Sequence, residues 1–112
     1  MKSDKTYLLH IIDCARQITG YTNGLTQAEF LNDRKTIDAV IRNFEVIGEA
    51  TKRLSSSFRE EHSDIAWKQM AGMRDKLIHD YLEVDHQILW NTVTDILPNL
   101  IKEIQLILGK LQ

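Results

Sequence analysis

The sequence predicts an all-α protein, an antiparallel bundle of four to five helices that forms a single domain over residues 1–112. Two observations predict this fold. One proline and five glycines in 112 residues leave few places where a helix must end, and apolar residues recur at every third or fourth position along most of the chain. No stretch shows the strict apolar–polar alternation that is typical of a strand. A chain of this length commonly forms one domain around one core.

The first predicted helix carries apolar residues at helical spacing: Leu8, Ile11, Ile12, Ala15 and Ile18. Gly20 is expected to end this helix, because glycine commonly follows the last helical turn. Thr26 and Glu29 have the spacing of a capping box and predict a short helical turn after the loop. Asn32 or Asp33 is then expected to cap a long helix.

The long helix has an apolar stripe that consists of Ile37, Val40, Ile41, Phe44, Ile47, Thr51 and Leu54. Gly48 lies in the middle of this helix, where glycine costs about 1 kcal/mol relative to alanine. We therefore expect Gly48 to permit the close approach of a neighbouring helix. Residues 55–63 are predicted to be a polar link.

The next helical stripe follows Ile65 and is interrupted by a charged residue: Trp67, Met70, Ala71, Arg74, Leu77, Ile78 and Tyr81. Asp85 is expected to cap the last helix, and Pro98 should kink that helix or divide it in two. The last helix has more apolar positions than one narrow seam needs. Part of it is therefore expected to face a second subunit.

Composition and charge exclude several classes of protein. The apolar runs are too short for a transmembrane helix, so no membrane association is expected. Cys14 is the only cysteine, which leaves no intramolecular disulfide and no cysteine-built zinc site. His10, Asp13 and Arg16 interrupt the segment where a secretory signal would be apolar, so a cytoplasmic location is the default expectation. With a formal net charge of −2, phosphate binding needs a local basic patch or a groove between subunits.

Four chemically active side chains fall within residues 74–81 of the sequence. On a helix that advances about 100° per residue, Asp75 and His79 share a face because they are four residues apart. Arg74 and Tyr81 are seven residues apart and share the adjoining stripe. All four side chains are therefore expected to border one surface.

These residue types suit the cleavage of RNA without a metal ion. Such a reaction needs a base for the 2′-hydroxyl proton, a cation for the phosphate and an acid for the leaving oxygen. His79 suits the proton transfers, and Arg74 offers a planar fork of donors to the phosphate. One histidine cannot easily act as base and acid together, so this chemistry predicts a symmetric homodimer with two copies of each residue at one groove. Asp75 could orient the ring of His79 or favour its protonated form.

Ordinary structural roles also fit these residues when each is taken alone. Arg74 could form a surface ion pair, and His79 could end a helix whose dipole favours a cation. Tyr81 could pack against the core.

A metal site is not expected. Glu83 and His86 form one Glu-x-x-His pair, whereas a di-iron bundle needs two such pairs and further carboxylates. Asp75 and His79 would supply only two ligands, and an ion pair explains that spacing better. Neither a glycine-rich phosphate loop nor a nucleotidyltransferase signature is present in the sequence.

The wider sequence resembles the HepT-like ribonuclease toxins of the HEPN superfamily, which are small helical bundles. Their signature is an arginine, four to six residues, a histidine, one residue and a tyrosine, and it matches Arg74, His79 and Tyr81. The resemblance also includes VIGEATKRLS at 46–55, IAWKQMAGMRDKLIHDYLEVD at 65–85 and the VTDILPNLIKEI ending. It covers nearly the whole chain.

The resemblance implies a toxin of a toxin–antitoxin system. Family members form homodimers with a composite ribonuclease site, and the positions that match Arg74 and His79 are essential in them. An MntA-type minimal nucleotidyltransferase antitoxin silences such toxins by transferring AMP to the tyrosine that matches Tyr81. The toxin itself then needs no cofactor, since ATP and Mg²⁺ would be used by the partner.

Two other functions remain open at the level of the sequence. The chain could be a non-catalytic helical module that presents a substrate to a nucleotidyltransferase or regulates it. It could also be a structural dimerisation bundle, in which Arg74 and His79 would be replaceable without consequence.

Overall fold

The computed structural model describes residues 3–111, apart from the side chain of Tyr81. Its helices in chain order are α1 (Asp4–Thr22), α2 (Gln27–Leu31), α3 (Arg34–Arg53), α4 (Ser56–Glu61), α5 (Trp67–His79), a 3₁₀ helix (Tyr81–Glu83), α6 (His86–Asn91), a π-helical segment (Thr92–Ile96) and α7 (Leu97–Lys110). No strand occurs within residues 3–111. The prediction of an all-α bundle is confirmed.

Helix α3 is the centre of the bundle, because α1 and α5 both pack along it and α7 packs on α1. Its buried stripe is the one that the sequence predicts: Ile37, Val40, Phe44, Ile47, Thr51 and Leu54 are buried, and Ile41 is partly buried. Phe30 from α2 and Phe44 from α3 are among the largest side chains with no exposed surface. Burial of each such side chain stabilises the fold by about 1.5–3 kcal/mol.

The predicted helix starts are confirmed. The Thr26 hydroxyl accepts a hydrogen bond from the Glu29 N–H, and the Glu29 carboxylate accepts one from the Thr26 N–H, which completes the capping box of α2. Asp33, rather than Asn32, caps α3 by accepting from the Thr36 N–H. Asp85 caps α6.

The predicted end of the first helix is wrong, and the predicted polar link contains a helix that was not predicted. Helix α1 continues through Gly20 to Thr22, and the chain turns at Gly24, whose φ of +82° suits glycine. The polar link at 55–63 contains the short helix α4, because the Ser55 hydroxyl caps it by accepting from the Phe58 N–H. In this link, local capping groups form a helix that the weak apolar pattern does not predict.

The last helix is divided near Pro98, as predicted. At the end of the π-helical segment the Leu97 N–H donates to the Thr92 carbonyl, five residues back. Pro98 has no N–H to donate, so the regular helical hydrogen bonding is interrupted at the start of α7.

The outer face of α7 leaves Leu106 59% exposed, and Leu111 beyond its end is 49% exposed. That this region faces a second subunit stays a prediction. Among the helices described, none is both long enough and apolar enough to cross a membrane.

Candidate active site

The backbone of α5 lies closely against α3 at Gly48. A Cβ atom added to Gly48 would overlap with Cβ of Arg74 and would lie 2.8 Å from the Met70 carbonyl oxygen. No other residue type fits this position without a shift of one helix. The expectation that Gly48 permits a close helix approach is confirmed, and the residue on the other side of the contact is Arg74.

Two carboxylates hold the Arg74 guanidinium. Its Nη2 lies 3.2 Å from Glu49 Oε2 on α3, and its Nη1 donates to Asp75 Oδ1 at 3.1 Å. The Arg74 side chain is 24% exposed, and its Nε is buried with no hydrogen-bond partner in the described part of the chain. The cation is therefore fixed at the α3–α5 contact and is only partly open to solvent.

Two further cations, Lys52 and Arg53 of α3, bind the same two carboxylates. Glu49 Oε1 accepts from Arg53 Nε at 3.1 Å, and Asp75 Oδ1 accepts from Lys52 Nζ at 2.6 Å. Hydrogen bonds from Lys52 and then Arg74 hold the pKa of Asp75 below its ordinary value of 3.8. The hydrogen bond with Glu49 raises the pKa of Arg53 above its ordinary value. We call these five charged residues the Arg74 network: Glu49, Lys52, Arg53, Arg74 and Asp75.

A cleft opens beside Arg74 between α1, α3 and α5, with a volume of about 550 Å³. We call it the Arg74 cleft; its lining residues are Tyr7, His10, Arg42, Glu45, Val46, Glu49, Ala50, Arg53, Arg74 and Ile78. Three arginines, Arg42, Arg53 and Arg74, line it together with only two carboxylates, Glu45 and Glu49. The cleft is therefore locally basic on a chain whose formal net charge is −2.

His79 is the last residue of α5, and its side chain is exposed. It follows Arg74 by five residues, which places the two side chains about 140° apart around the helix. His79 does not line the Arg74 cleft. Within one chain, the structure thus does not bring the two predicted catalytic residues onto the same face.

Asp75 has partners other than the expected one. It binds Lys52 and Arg74, and within residues 3–111 it makes no hydrogen bond or ion pair with His79. The four-residue spacing permits an Asp75–His79 contact. The Asp75 carboxylate instead accepts hydrogen bonds from the Lys52 ammonium on α3 and from the Arg74 guanidinium. The structure therefore gives Asp75 a contact with Arg74 rather than with His79.

Arg74 and Tyr81 do not lie on one helix, so they do not share the predicted helical stripe. Helix α5 ends at His79, where the Asp80 N–H donates to the Lys76 carbonyl, and Tyr81 belongs to the following 3₁₀ helix. The seven-residue helical relation is therefore wrong. The Tyr81 side chain lies outside the described part of the structure.

Comparisons with known proteins identify the family. The family model described as ribonuclease HepT-like matches residues 11–107. The chain belongs to this family. This HepT-like chain is 41% identical over 110 residues to a protein of Caldanaerobacter subterraneus subsp. tengcongensis, with 98% of each chain covered. That relative is provisionally named an RNase.

Two further relatives are similar to this HepT-like chain over most of its length. A protein of Thermococcus cleftensis, provisionally named ribonuclease HepT, is 44% identical over 99 residues, which cover 88% of this chain and 90% of the relative. A provisionally named RNase of Methanocaldococcus jannaschii is 42% identical over 111 residues, which cover 99% and 92%. No solved structure matches significantly. The resemblance to HepT-like proteins and the prediction of a ribonuclease are confirmed at the level of the family.

The partners of Arg74 in this HepT-like protein were not predicted from the sequence. Glu49, Lys52 and Arg53 all come from the charged side of α3, just after Gly48. A signal for them was present, because charged residues three and four positions apart share a helix face and a mid-helix glycine marks where another helix approaches. The pattern does not say which helix approaches, so the ion pairs could not be assigned.

No metal cluster is found within the described residues, where three or more His, Cys, Asp or Glu side chains do not converge. Glu83 and His86 are therefore not joined by a third potential ligand among these residues.

Proposed function

We propose that this HepT-like protein is a metal-independent endoribonuclease toxin whose site is completed by two copies of the chain. The observation that supports this proposal most is the separation of Arg74 from His79. Arg74 is fixed beside a basic cleft, whereas His79 is exposed at the end of α5 and about 140° away around the helix. A two-fold axis near the end of α5 would bring the His79 side chains of both protomers together beside a phosphate held by Arg74.

In the proposed reaction, Arg74 binds the scissile phosphate. The RNA 2′-oxygen attacks phosphorus while its proton passes to a neutral His79, and the bond from phosphorus to the 5′-oxygen breaks. The protonated His79 of the other protomer gives its proton to that leaving oxygen. The products are a 2′,3′-cyclic phosphate and a 5′-hydroxyl. A phosphate that enters must compete with Glu49 and Asp75 for the Arg74 guanidinium.

The cleavage proposal is tested with purified protein, RNA and EDTA. His79→Ala and Arg74→Ala should each lower the cleavage rate by about 100-fold or more, since each removes a proton carrier or a phosphate clamp. His86→Ala and Arg34→Ala are matched controls, because neither residue lines the Arg74 cleft. Full activity in the His79 and Arg74 variants would defeat the assignment.

We also propose that a nucleotidyltransferase antitoxin silences this toxin by AMP transfer to Tyr81. The tyrosine oxygen would attack the α-phosphorus of ATP, lose its proton and release pyrophosphate. The adduct would add a negative charge two residues from His79, where it would repel RNA phosphate. The cytoplasmic location expected from the sequence belongs to the same proposal.

Mass spectrometry tests this switch after co-expression with a minimal nucleotidyltransferase encoded beside the toxin gene. The peptide that contains Tyr81 should gain the mass of AMP, and Tyr81→Phe should stay unmodified. Modification of a different residue would move the switch but leave the cleavage proposal intact.

A further inference from the structure

We propose that the Arg74 cleft binds one unpaired nucleotide of the RNA, next to the scissile phosphate. Arg42 and Arg53 would contact its phosphates, and Tyr7 would lie against its base. The identity of the ligand as RNA rests on the proposed function. The position of the binding site rests on the cleft itself.

Charge is the first argument. Three arginines and two glutamates line the cleft, so a phosphate meets a local excess of positive charge there. The Arg42 side chain is 75% exposed, and its nearest carboxylate oxygen, on Glu45, is 4.0 Å away. The Arg53 side chain is 60% exposed and pairs with Glu49. Exposed ion pairs of this kind are weak, so both guanidinium groups are available to a phosphate.

The lining of the cleft is the second argument. Val46, Ala50 and Ile78 supply apolar surface, and Tyr7 supplies an aromatic ring that is partly buried. A cleft of about 550 Å³ is within the size range of small-ligand sites. An aromatic side chain and a cationic rim are the features that proteins use to hold unpaired bases. The bases of a duplex are stacked and paired, and so they cannot enter.

Continuity with the reacting groups is the third argument. Arg74 both lines the cleft and is the proposed phosphate clamp. A nucleotide in the cleft is therefore joined directly to the phosphate at Arg74. Contacts with this nucleotide would set the affinity and the position of cleavage without taking part in proton transfer.

RNA binding tests the cationic contacts. The probe is a fluorescein-labelled single-stranded RNA, bound to His79→Ala protein so that it is not cleaved. Adding Arg42→Gln and Arg53→Gln together should weaken binding by about 10- to 100-fold at low salt. The slope of log affinity against log salt should fall by roughly 0.7 for each phosphate contact that is lost. Adding Arg34→Gln instead is the matched control, because Arg34 is an exposed arginine of α3 outside the cleft.

The aromatic contact is tested separately. Tyr7→Ala should weaken binding of the same probe by about 10-fold, and Tyr7→Phe should retain most of the affinity because the ring remains. Tyr21→Ala is the control, since Tyr21 is an exposed tyrosine on the same helix and does not line the cleft. The same RNA annealed to its complement should bind more weakly than the single strand.

Several outcomes would overturn the inference. Unchanged affinity in the Arg42/Arg53 double variant would do so, and so would equal binding of the duplex. A loss of dimer in that variant, measured by light scattering, would assign the cleft to the contact between protomers. If the unmutated protein cleaved no RNA, the proposed function would fail while the binding results still decided the inference. Intact cleavage by an Arg42→Gln/Arg53→Gln protein that keeps His79, together with unchanged affinity of its His79→Ala counterpart, would contradict the nucleotide site and leave the proposed cleavage standing.

Discussion

At the scale of single residues, the position of Arg74 depends on Gly48, which has no side chain to keep α5 away from α3. Gly48 lets α5 approach α3 until Arg74 reaches Glu49, and Lys52 holds Asp75 at the other side of the guanidinium. The proposed phosphate clamp is thus oriented by residues of another helix.

Gly48→Ala should destabilise the protein and lower its activity. The added methyl group would overlap with Arg74 and press on the Met70 carbonyl, and overpacking of this kind typically costs about 1–3 kcal/mol. Urea denaturation would measure the loss. Gly20→Ala is the control, because Gly20 lies within α1 with nothing within 4 Å, and alanine there should stabilise by roughly 0.5–1 kcal/mol. Equal stability of the two variants would show that the contact is not tight.

Asp75→Asn should reduce the loss of stability in acid. Hydrogen bonds from Lys52 and Arg74 lower the pKa of Asp75 below 3.8, so the unfolded chain takes up a proton at a higher pH than the folded chain does. The stability from ionised Asp75 is therefore present above its ordinary pKa and is lost as pH falls through the lowered one. Denaturation curves from about pH 5 downwards would measure this. Asp64→Asn, an exposed substitution outside the network, should leave the acid profile as in the unmutated protein.

At the scale of elements, α3 carries both the core and the groups that surround the site. Its apolar stripe packs on α1 and α5, and its charged side supplies Glu49, Lys52 and Arg53. Periodicity predicted α3 and its buried stripe well, because the apolar residues of a packed helix must face the core. The end of α5 at His79 was not predicted, since Leu77, Ile78 and Tyr81 continue a helical pattern that the chain does not follow.

Thr26→Ala should destabilise the protein by about 0.5–2 kcal/mol, because it removes the side-chain half of the α2 capping box. Helix α2 has only five residues and places Phe30 against Trp90, with ring centroids 5.1 Å apart, so the cap supports a core contact. Thermal denaturation would report the change. Thr26→Ser keeps the hydroxyl and should stay close to the unmutated protein; a similar loss in both variants would point away from the cap.

At the scale of the whole molecule, Arg74 and His79 of one chain lie on different faces of α5. The proposed site therefore needs a second copy of the chain. The chemistry of proton transfer predicts that two copies of the chain form the site, and this stays a prediction. The sequence could not predict the Arg74 cleft, because Tyr7 and Arg42 come together with Arg74 only through the packing of three helices.

The cleavage rate per chain should rise with protein concentration and reach a plateau as dimers form. This follows from the proposed site, which needs His79 from two protomers. Parallel measurements of rate and of mass by light scattering would test it over the same concentrations. A rate per chain that is constant while the protein is monomeric would contradict a composite site.

Expression of the chain alone should arrest the growth of a bacterial host, and expression of His79→Ala should not. Cleavage of host RNA is the expected cause, so RNA extracted from arrested cells should be fragmented. Harmless expression of the unmutated chain at the same protein level would favour the non-catalytic binding module.

The contact at Gly48 also bears on which mutations would let a host survive the proposed toxin. Every substitution of a glycine adds bulk, so nearly any missense change in this codon should disturb Arg74. Mutants that survive a selection for growth should therefore accumulate in two separate stretches of the gene, one for α3 and one for α5. Survivors altered at codon 48 should carry many different replacement residues, because the added bulk matters more than its chemistry.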